Sequence, residues 1–297
     1  MDRKMVLFFF SGTGNTWWCA KTFERAAAEH NLQVECVSLE ALTKPATEKL
    51  LAAADLMGLA YPIYGSDAPE PVHKFVNSLA DLETRTTAKA LVFCTQYLWS
   101  GDGAAVGAAL LESVGFHVPW TQHILMPNNV CLPIHPKLPF TNDKQRLANT
   151  LKRATKKLER LALRVSQDRP LRHGRSFWAR QLGCIQRVPY RRMQPKLRTL
   201  LAIDDTACTG CGLCVELCPT ANIHNNASDQ LIMGDHCALC LRCYNFCPVS
   251  AVTAVGRHHE TRRGIPYRGP SSDFDPRLLR CSAGEQGARP TREQTLS

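Results

Sequence analysis

The sequence has no long hydrophobic run. Met5–Phe10 is apolar but only six residues long, too short for a membrane span or a secretory signal core. A cytoplasmic protein is expected. Aromatic residues make up 7% of the 297 and form no stacking motif, so no nucleic-acid partner is expected. Ten histidines are scattered without ligand spacing. His236 precedes a motif cysteine, where it either tunes a metal site or lies in solvent. One Gly/Ser/Thr loop, Ser11–Thr16, follows an apolar run. No lysine follows its glycines, which excludes a Walker-type nucleotide loop, and their spacing is not a dinucleotide fingerprint.

Cysteine is abundant, at 14 residues. Eight stand in two runs of the form C-x2-C-x2-C-x3-C-P. The first is Cys208, Cys211, Cys214, Cys218 and Pro219; the second is Cys237, Cys240, Cys243, Cys247 and Pro248. Both Cys208 to Cys237 and Cys218 to Cys247 are offsets of 29 residues, so one unit is used twice. Three thiolates at steps of three wrap one cubane. The fourth cysteine of such a run ligates the other cluster. Cys208, Cys211, Cys214 and Cys247 are thereby assigned to one [4Fe–4S] cluster, and Cys237, Cys240, Cys243 and Cys218 to a second. Structural zinc sites use separated C-x2-C hooks and fit this pattern poorly. The stretch resembles bacterial dicluster ferredoxins over about residues 199–257. A piece that small is expected to fold only with its metal. The other six cysteines, Cys19, Cys36, Cys94, Cys131, Cys184 and Cys281, are scattered, as in a reducing compartment.

The net charge of +10 is uneven. Residues 1–140 and 201–256 are mildly acidic, at −3 and −4, whereas residues 141–200 carry 17 Lys/Arg against 3 Asp/Glu. That belt reads three ways: a solvated face, a clamp between two anionic modules, or a docking surface for acidic redox partner proteins.

The first part of the chain alternates strands and helices. Met5–Phe10, Leu32–Ser38, a strand within Leu51–Tyr61, Ala90–Thr95 and Val118–Met126 are the expected strands. Pro71–Ala80 and Ala104–Gly115 are helices. Leu147, Leu151, Ala154, Leu158, Leu161 and Val165 share one face of a helix from about Asp143 to Ser166, with Asn142 as its N-cap. The pattern predicts an α/β fold with a five-stranded, doubly wound parallel sheet, plus the small α+β cluster-binding domain. Ligands of such sheets sit beyond the carboxyl ends of the strands. Three loops lie there: Ser11–Thr16, Tyr61–Asp67 and Thr95–Gly103.

Ser11, Gly12, Thr13, Gly14, Asn15 and Thr16 resemble the phosphate loop of flavodoxins. Pro62, Tyr64 and Gly65, with Thr95, Gln96, Tyr97, Trp99, Gly101, Asp102 and Gly103, are similar to the two loops that embrace an isoalloxazine. The chain resembles the flavodoxin–ferredoxin fusion family over about residues 1–257. That resemblance implies FMN, with Ser11, Thr13, Asn15 and Thr16 at the phosphate and Tyr64, Tyr97 or Trp99 stacked on the ring. The domains expected are 1–168 flavodoxin-like, 169–198 a basic connecting segment packed along it, 199–257 ferredoxin-like, and 258–297 a polar, disordered tail. The expected function is electron transfer between two [4Fe–4S] clusters and FMN, linking one-electron and two-electron carriers. The alternative is a flavin-dependent reductase of a small molecule, fed by its own ferredoxin domain. Only Asp102 and His73 offer acid–base groups near the flavin loops.

Overall fold

The computed structural model describes residues 3–82, 89–133, 143–227, 230–260 and 264–280. The first domain runs β1 (Arg3–Phe9), α1 (Asn15–Ala28), β2 (Leu32–Ser38), α2 (Lys44–Ala52), β3 (Leu56–Pro62), α3 (Glu70–Leu79), β4 (Lys89–Gln96), α4 (Gly103–Ser113), β5 (His117–Leu125), α5 (Lys144–Ser166) and β6 (Leu171–Arg172). The sheet is parallel throughout, in the order β2-β1-β3-β4-β5-β6. The first five strands follow the flavodoxin-like order.

A parallel sheet covered on both faces needs continuously apolar strands. Side chains alternate along β1. Leu7 and Phe9 join Phe23, Phe93, Trp120, Leu158 and Leu161 in the core on the α1/α5 side. Val6, Phe8 and Phe10 join Leu59, Tyr61, Val72, Phe75 and Leu111 on the α3/α4 side. Asp143 caps α5 by accepting from the Arg146 N–H at 3.0 Å; the expected cap, Asn142, lies outside the described residues.

The sheet has six strands, not five. After α5, Trp120 Nε1 donates to the Arg169 carbonyl at 2.9 Å, and Leu171–Arg172 then pairs with Trp120–Thr121. The connecting segment is a 22-residue helix, α6 (Phe177–Arg198), capped by Ser176. It crosses the loops after β3 and β4. Gln186 meets Ser66, Arg187 grips Asp102 through two bonds of 2.8 and 3.0 Å, Arg191 binds Asp67 and Arg198 binds Glu70. Two glycines permit the contact. A Cβ on Gly101 would stand 2.4 Å from the Gly183 amide nitrogen, and one on Gly183 would stand 1.7 Å from Asp102 Oδ1.

The second module consists of β7 (Leu201–Ile203), α7 (Leu213–Glu216), β8 (Ile223–Asn225), β9 (Leu231–Met233), α8 (Arg242–Phe246) and β10 (Val252–Ala254). β7 pairs with β10 and β8 with β9, both antiparallel. Its small core is shared: Leu201, Leu241, Tyr244 and Val252 pack with Cys131 and Leu132 of the first domain. The tail differs from expectation between residues 264 and 280. Tyr267, Phe274, Leu278 and Leu279 are buried, and Phe274 stacks at 5.2 Å on Trp17. Four large apolar side chains spaced along a Gly/Pro-rich stretch give no period, yet they suffice to anchor it. No helix among the described residues is long and apolar enough to cross a membrane.

Candidate functional site

The loops after β1, β3 and β4 meet at a cavity of about 150 Å³. Met126–Val130, following β5, and two leucines of the second module, Leu239 and Leu241, complete its lining. Among the described residues, the N–H groups of Thr13, Gly14, Asn15 and Thr16 meet no protein acceptor, while that of Trp17 donates to Ser11 Oγ at 3.2 Å. Free N–H groups at the start of a 14-residue helix form an anion site. The loop side chains hold its shape: Thr13 Oγ1 accepts from Asn129 at 3.0 Å, Thr16 and Thr95 share a bond of 2.9 Å, and Asn15 donates to the Pro127 carbonyl. The Tyr64 hydroxyl is buried with no partner among the described residues. Burial first, then the neighbouring Cys240, pushes its ionisation well above the ordinary tyrosine range, so it stays a donor.

These groups fit the phosphate end of FMN. The cavity alone is smaller than the roughly 300–1,000 Å³ of ordinary ligand sites. Tyr97, Met126 and Pro127, however, also line an adjoining groove of about 740 Å³, whose far side carries Arg146, Arg153, Lys156 and Arg160.

Ser11, Gly12, Thr13, Asn15, Thr16, Pro62, Tyr64, Thr95, Gln96 and Tyr97 all line the cavity. Gly14, Gly65, Trp99, Gly101, Asp102 and Gly103 do not. Phe274 covers Gly14, and Tyr190 covers Gly65. Trp99 is 48% exposed. Gly101 and Asp102 lie under α6, and the Gly103 carbonyl accepts from the Tyr61 hydroxyl. Neither acid–base candidate reaches the cavity, since Asp102 is held by Arg187 and His73 lies 3.4 Å from Asp67.

The two cysteine loops share one backbone. Gly210, Gly212 and Ala221 have left-handed φ of 69°, 69° and 50°; Leu239, Leu241 and Ser250, each 29 residues on, have 57°, 60° and 54°. Sulfur-directed N–H bonds repeat as well. Gly210 and Leu239 donate to Cys208 and Cys237 at 3.5 and 3.4 Å, and Asn222 and Ala251 donate to Cys218 and Cys247 at 3.2 Å each. Cys218, Cys237, Cys240 and Cys243 line one small cavity, close enough to shift one another's ionisation. Cys214 is similarly coupled to Cys208 and Cys211. Among the described residues no three His, Cys, Asp or Glu side chains close on a single-ion site. A cubane spreads its bonds over four separate thiolates.

The two modules meet at Arg242, whose side chain is 0% exposed. All five guanidinium donors are used. Nη1 and Nη2 grip Glu40 at 2.8 and 2.6 Å. The Gly12, Leu217 and Ser11 carbonyls take bonds of 3.0, 2.9 and 2.7 Å. Burial opposes the charge, but the Glu40 carboxylate outweighs it and holds Arg242 ionised. Beside it, a Cβ on Gly12 would stand 2.8 Å from the Cys240 carbonyl, so the second cysteine loop rests on the Ser11–Thr16 loop. Sequence reasoning missed Arg242, Leu239, Leu241 and the Met126–Val130 loop. Only the last left a signal: Met-Pro-Asn-Asn after a fifth strand must lie at the same end of the sheet as the other three loops.

A sequence model described as a 4Fe-4S dicluster domain matches residues 200–248. The second module is a 4Fe-4S iron–sulfur domain. With a flavodoxin-like partner domain, it supports a role in electron transfer. No curated protein matches the chain. Among solved structures, a flavodoxin from the domain Archaea is 15% identical, the match covering 56% of this chain and 97% of that one at a TM-score of 0.41. A Bacillus cereus flavodoxin 1 is 18% identical over 55% and 97%, at 0.40. A Megasphaera elsdenii flavodoxin is 26% identical over 42% and 89%, at 0.36. The strand order of the sheet, rather than these scores, makes the first domain flavodoxin-like.

Proposed function

We propose that the chain carries electrons along a line of three centres. One [4Fe–4S] cluster is bound by Cys208, Cys211, Cys214 and Cys247, a second by Cys237, Cys240, Cys243 and Cys218, and FMN occupies the cavity at Ser11–Thr16. The observation that carries this reading is the seating of the Cys237–Cys243 loop on Gly12 through Arg242 and Cys240. The first loop faces outward, with Cys211 exposed, and is the port for a partner protein in the cytoplasm. The second loop is the inner step.

When bound, FMN supplies an acceptor for one or two electrons. The amides of Thr13–Thr16 bind its phosphate, and the Tyr64 hydroxyl donates to it. Leu239 and Leu241 exclude water between cluster and cavity. Arg242, neutralised by Glu40, fixes the second cysteine loop against the Ser11 and Gly12 carbonyls. Iron and flavin counted on anaerobically purified protein test the reading. About eight irons and one flavin per chain, bleached together by a low-potential reductant, are expected. Four irons, or iron without flavin, would remove the second cluster or the FMN. A second reading, a reductase of a small molecule, is favoured by the basic groove beside Tyr97. Reoxidation of the reduced protein by an organic anion would support it.

A further inference from the structure

Helix α6 is turned inside out. Besides the packing of Gly183 and Tyr190 on Gly101 and Gly65, it holds the body through polar groups: Gln186, Arg187, Arg191 and Arg198 reach Ser66, Asp102, Asp67 and Glu70. Six of its large apolar side chains point away. Trp178, Leu182, Ile185 and Met193 recur at steps of four, three and eight, which is one stripe of a helix, and all are exposed, Trp178 at 74% and Ile185 at 69%. Phe177 and Val188 flank the stripe and are exposed too. Burial normally runs the other way, and a contiguous exposed apolar patch marks an interaction surface.

The charge around the stripe selects the partner. No Asp or Glu occurs from residue 169 to residue 203, a stretch with nine Lys or Arg. Four of those nine are ion-paired within the chain, Arg175 with Glu112 and Arg187, Arg191 and Arg198 as above. Arg169, Arg172, Arg180, Arg192 and Lys196 are exposed and have no ion-pair partner among the described residues. A second copy would bring like charges together along the whole helix. Residues 281–297 carry a single large aliphatic side chain, Leu296, a poor match to an apolar stripe of six side chains. Hydrocarbon plus unpaired cations, with no carboxylate, matches the two layers of an anionic lipid surface: acyl chains and headgroup phosphates.

We propose that the outward face of α6 docks the protein on an anionic membrane surface. The helix lies flat in the interface, with Trp178 and Ile185 among the acyl chains and Arg192 and Lys196 at the phosphates. Its inner face stays on the loops after β3 and β4, so docking sets the redox end of the sheet close to the bilayer. The surface stands independently of the FMN reading.

Co-sedimentation of the full-length holoprotein with vesicles tests it. Vesicles of phosphatidylcholine with roughly a third phosphatidylserine are expected to bind it at least about tenfold more tightly than phosphatidylcholine alone. The double variant Trp178→Ser/Ile185→Ser should lose about tenfold or more of that binding, with an unchanged thermal midpoint because both side chains are exposed. Three results would overturn the proposal. One is no binding to anionic vesicles. Another is salt-sensitive binding indifferent to the apolar substitutions, which would leave only a cationic face suited to an acidic redox protein. The last is a dimer of the free protein that the same variant dissociates, which would make a second copy the occupant.

Discussion

The two cysteine loops have the same backbone and different surroundings. Gly210, Gly212 and Leu213 of the first correspond to Leu239, Leu241 and Arg242 of the second. Nothing lies within 4 Å of a Cβ added at Gly210 or Gly212, and glycine adopts their left-handed φ freely. Leu239 and Leu241 hold the same conformation at about 1–2 kcal/mol each. Their side chains line the cavity of the first domain, and that contact offsets the strain. A repeat built for cluster binding has thus been specialised on one side only: one loop faces solvent and the other forms the junction.

The comparison breaks most severely at Arg242. Arg242→Leu, which installs the residue of the first loop, strands Glu40 and should cost about 3–5 kcal/mol in denaturant unfolding of the holoprotein. Leu213→Ala, its mirror, should cost about 1–2 kcal/mol. Transferring leucine outward is the next test. Gly210→Leu and Gly212→Leu should each lose about 1–2 kcal/mol, since the strain appears with no contact to repay it; neutral variants would show that the loop backbones are not equivalent. Leu241→Gly should change stability by less than about 2 kcal/mol, because relieved strain and lost burial oppose each other. Flavin retention through gel filtration should nevertheless fall as the cavity opens.

The smallest effect lies at α6, away from the junction. Burial would raise the Asp67 carboxyl, but the hydrogen bonds from His73 and Arg191 outweigh it and hold the pKa at about 2. A depressed carboxylate stabilises the fold above its unfolded value and loses that stability as pH falls through the folded one. Acid titration between pH 4 and pH 2 should therefore loosen α6, by about 1 kcal/mol once screening at the half-exposed Arg191 is counted. Asp67→Asn should flatten that window and leave the Arg242 junction untouched, as read by hydrogen exchange.

The elements that patterned apolar residues define were legible in the sequence: β2 at Leu32–Ser38 and α5, shifted by one residue. The cysteine runs were legible because ligand spacing is set by chemistry. α6 was not, for a physical reason. Its inward face is Ala179, Gly183, Gln186, Arg187 and Tyr190, so a hydrophobic period points the wrong way, and Pro189 and Pro195 stand within it. Trp99 and Gly101–Gly103 read as a flavin loop by their order in the chain, yet α6 occupies Gly101 and Asp102. The seat of Arg242 could not be read at all, because Glu40 lies 202 residues away.

The most direct test is a crystal structure of the anaerobically reconstituted chain with FMN. The account predicts a cubane on Cys218, Cys237, Cys240 and Cys243 that lies nearer the ligand at Thr13–Thr16 than the cubane on Cys208, Cys211, Cys214 and Cys247. The reverse order, or a flavin bound away from the Leu239 and Leu241 side chains, would contradict it.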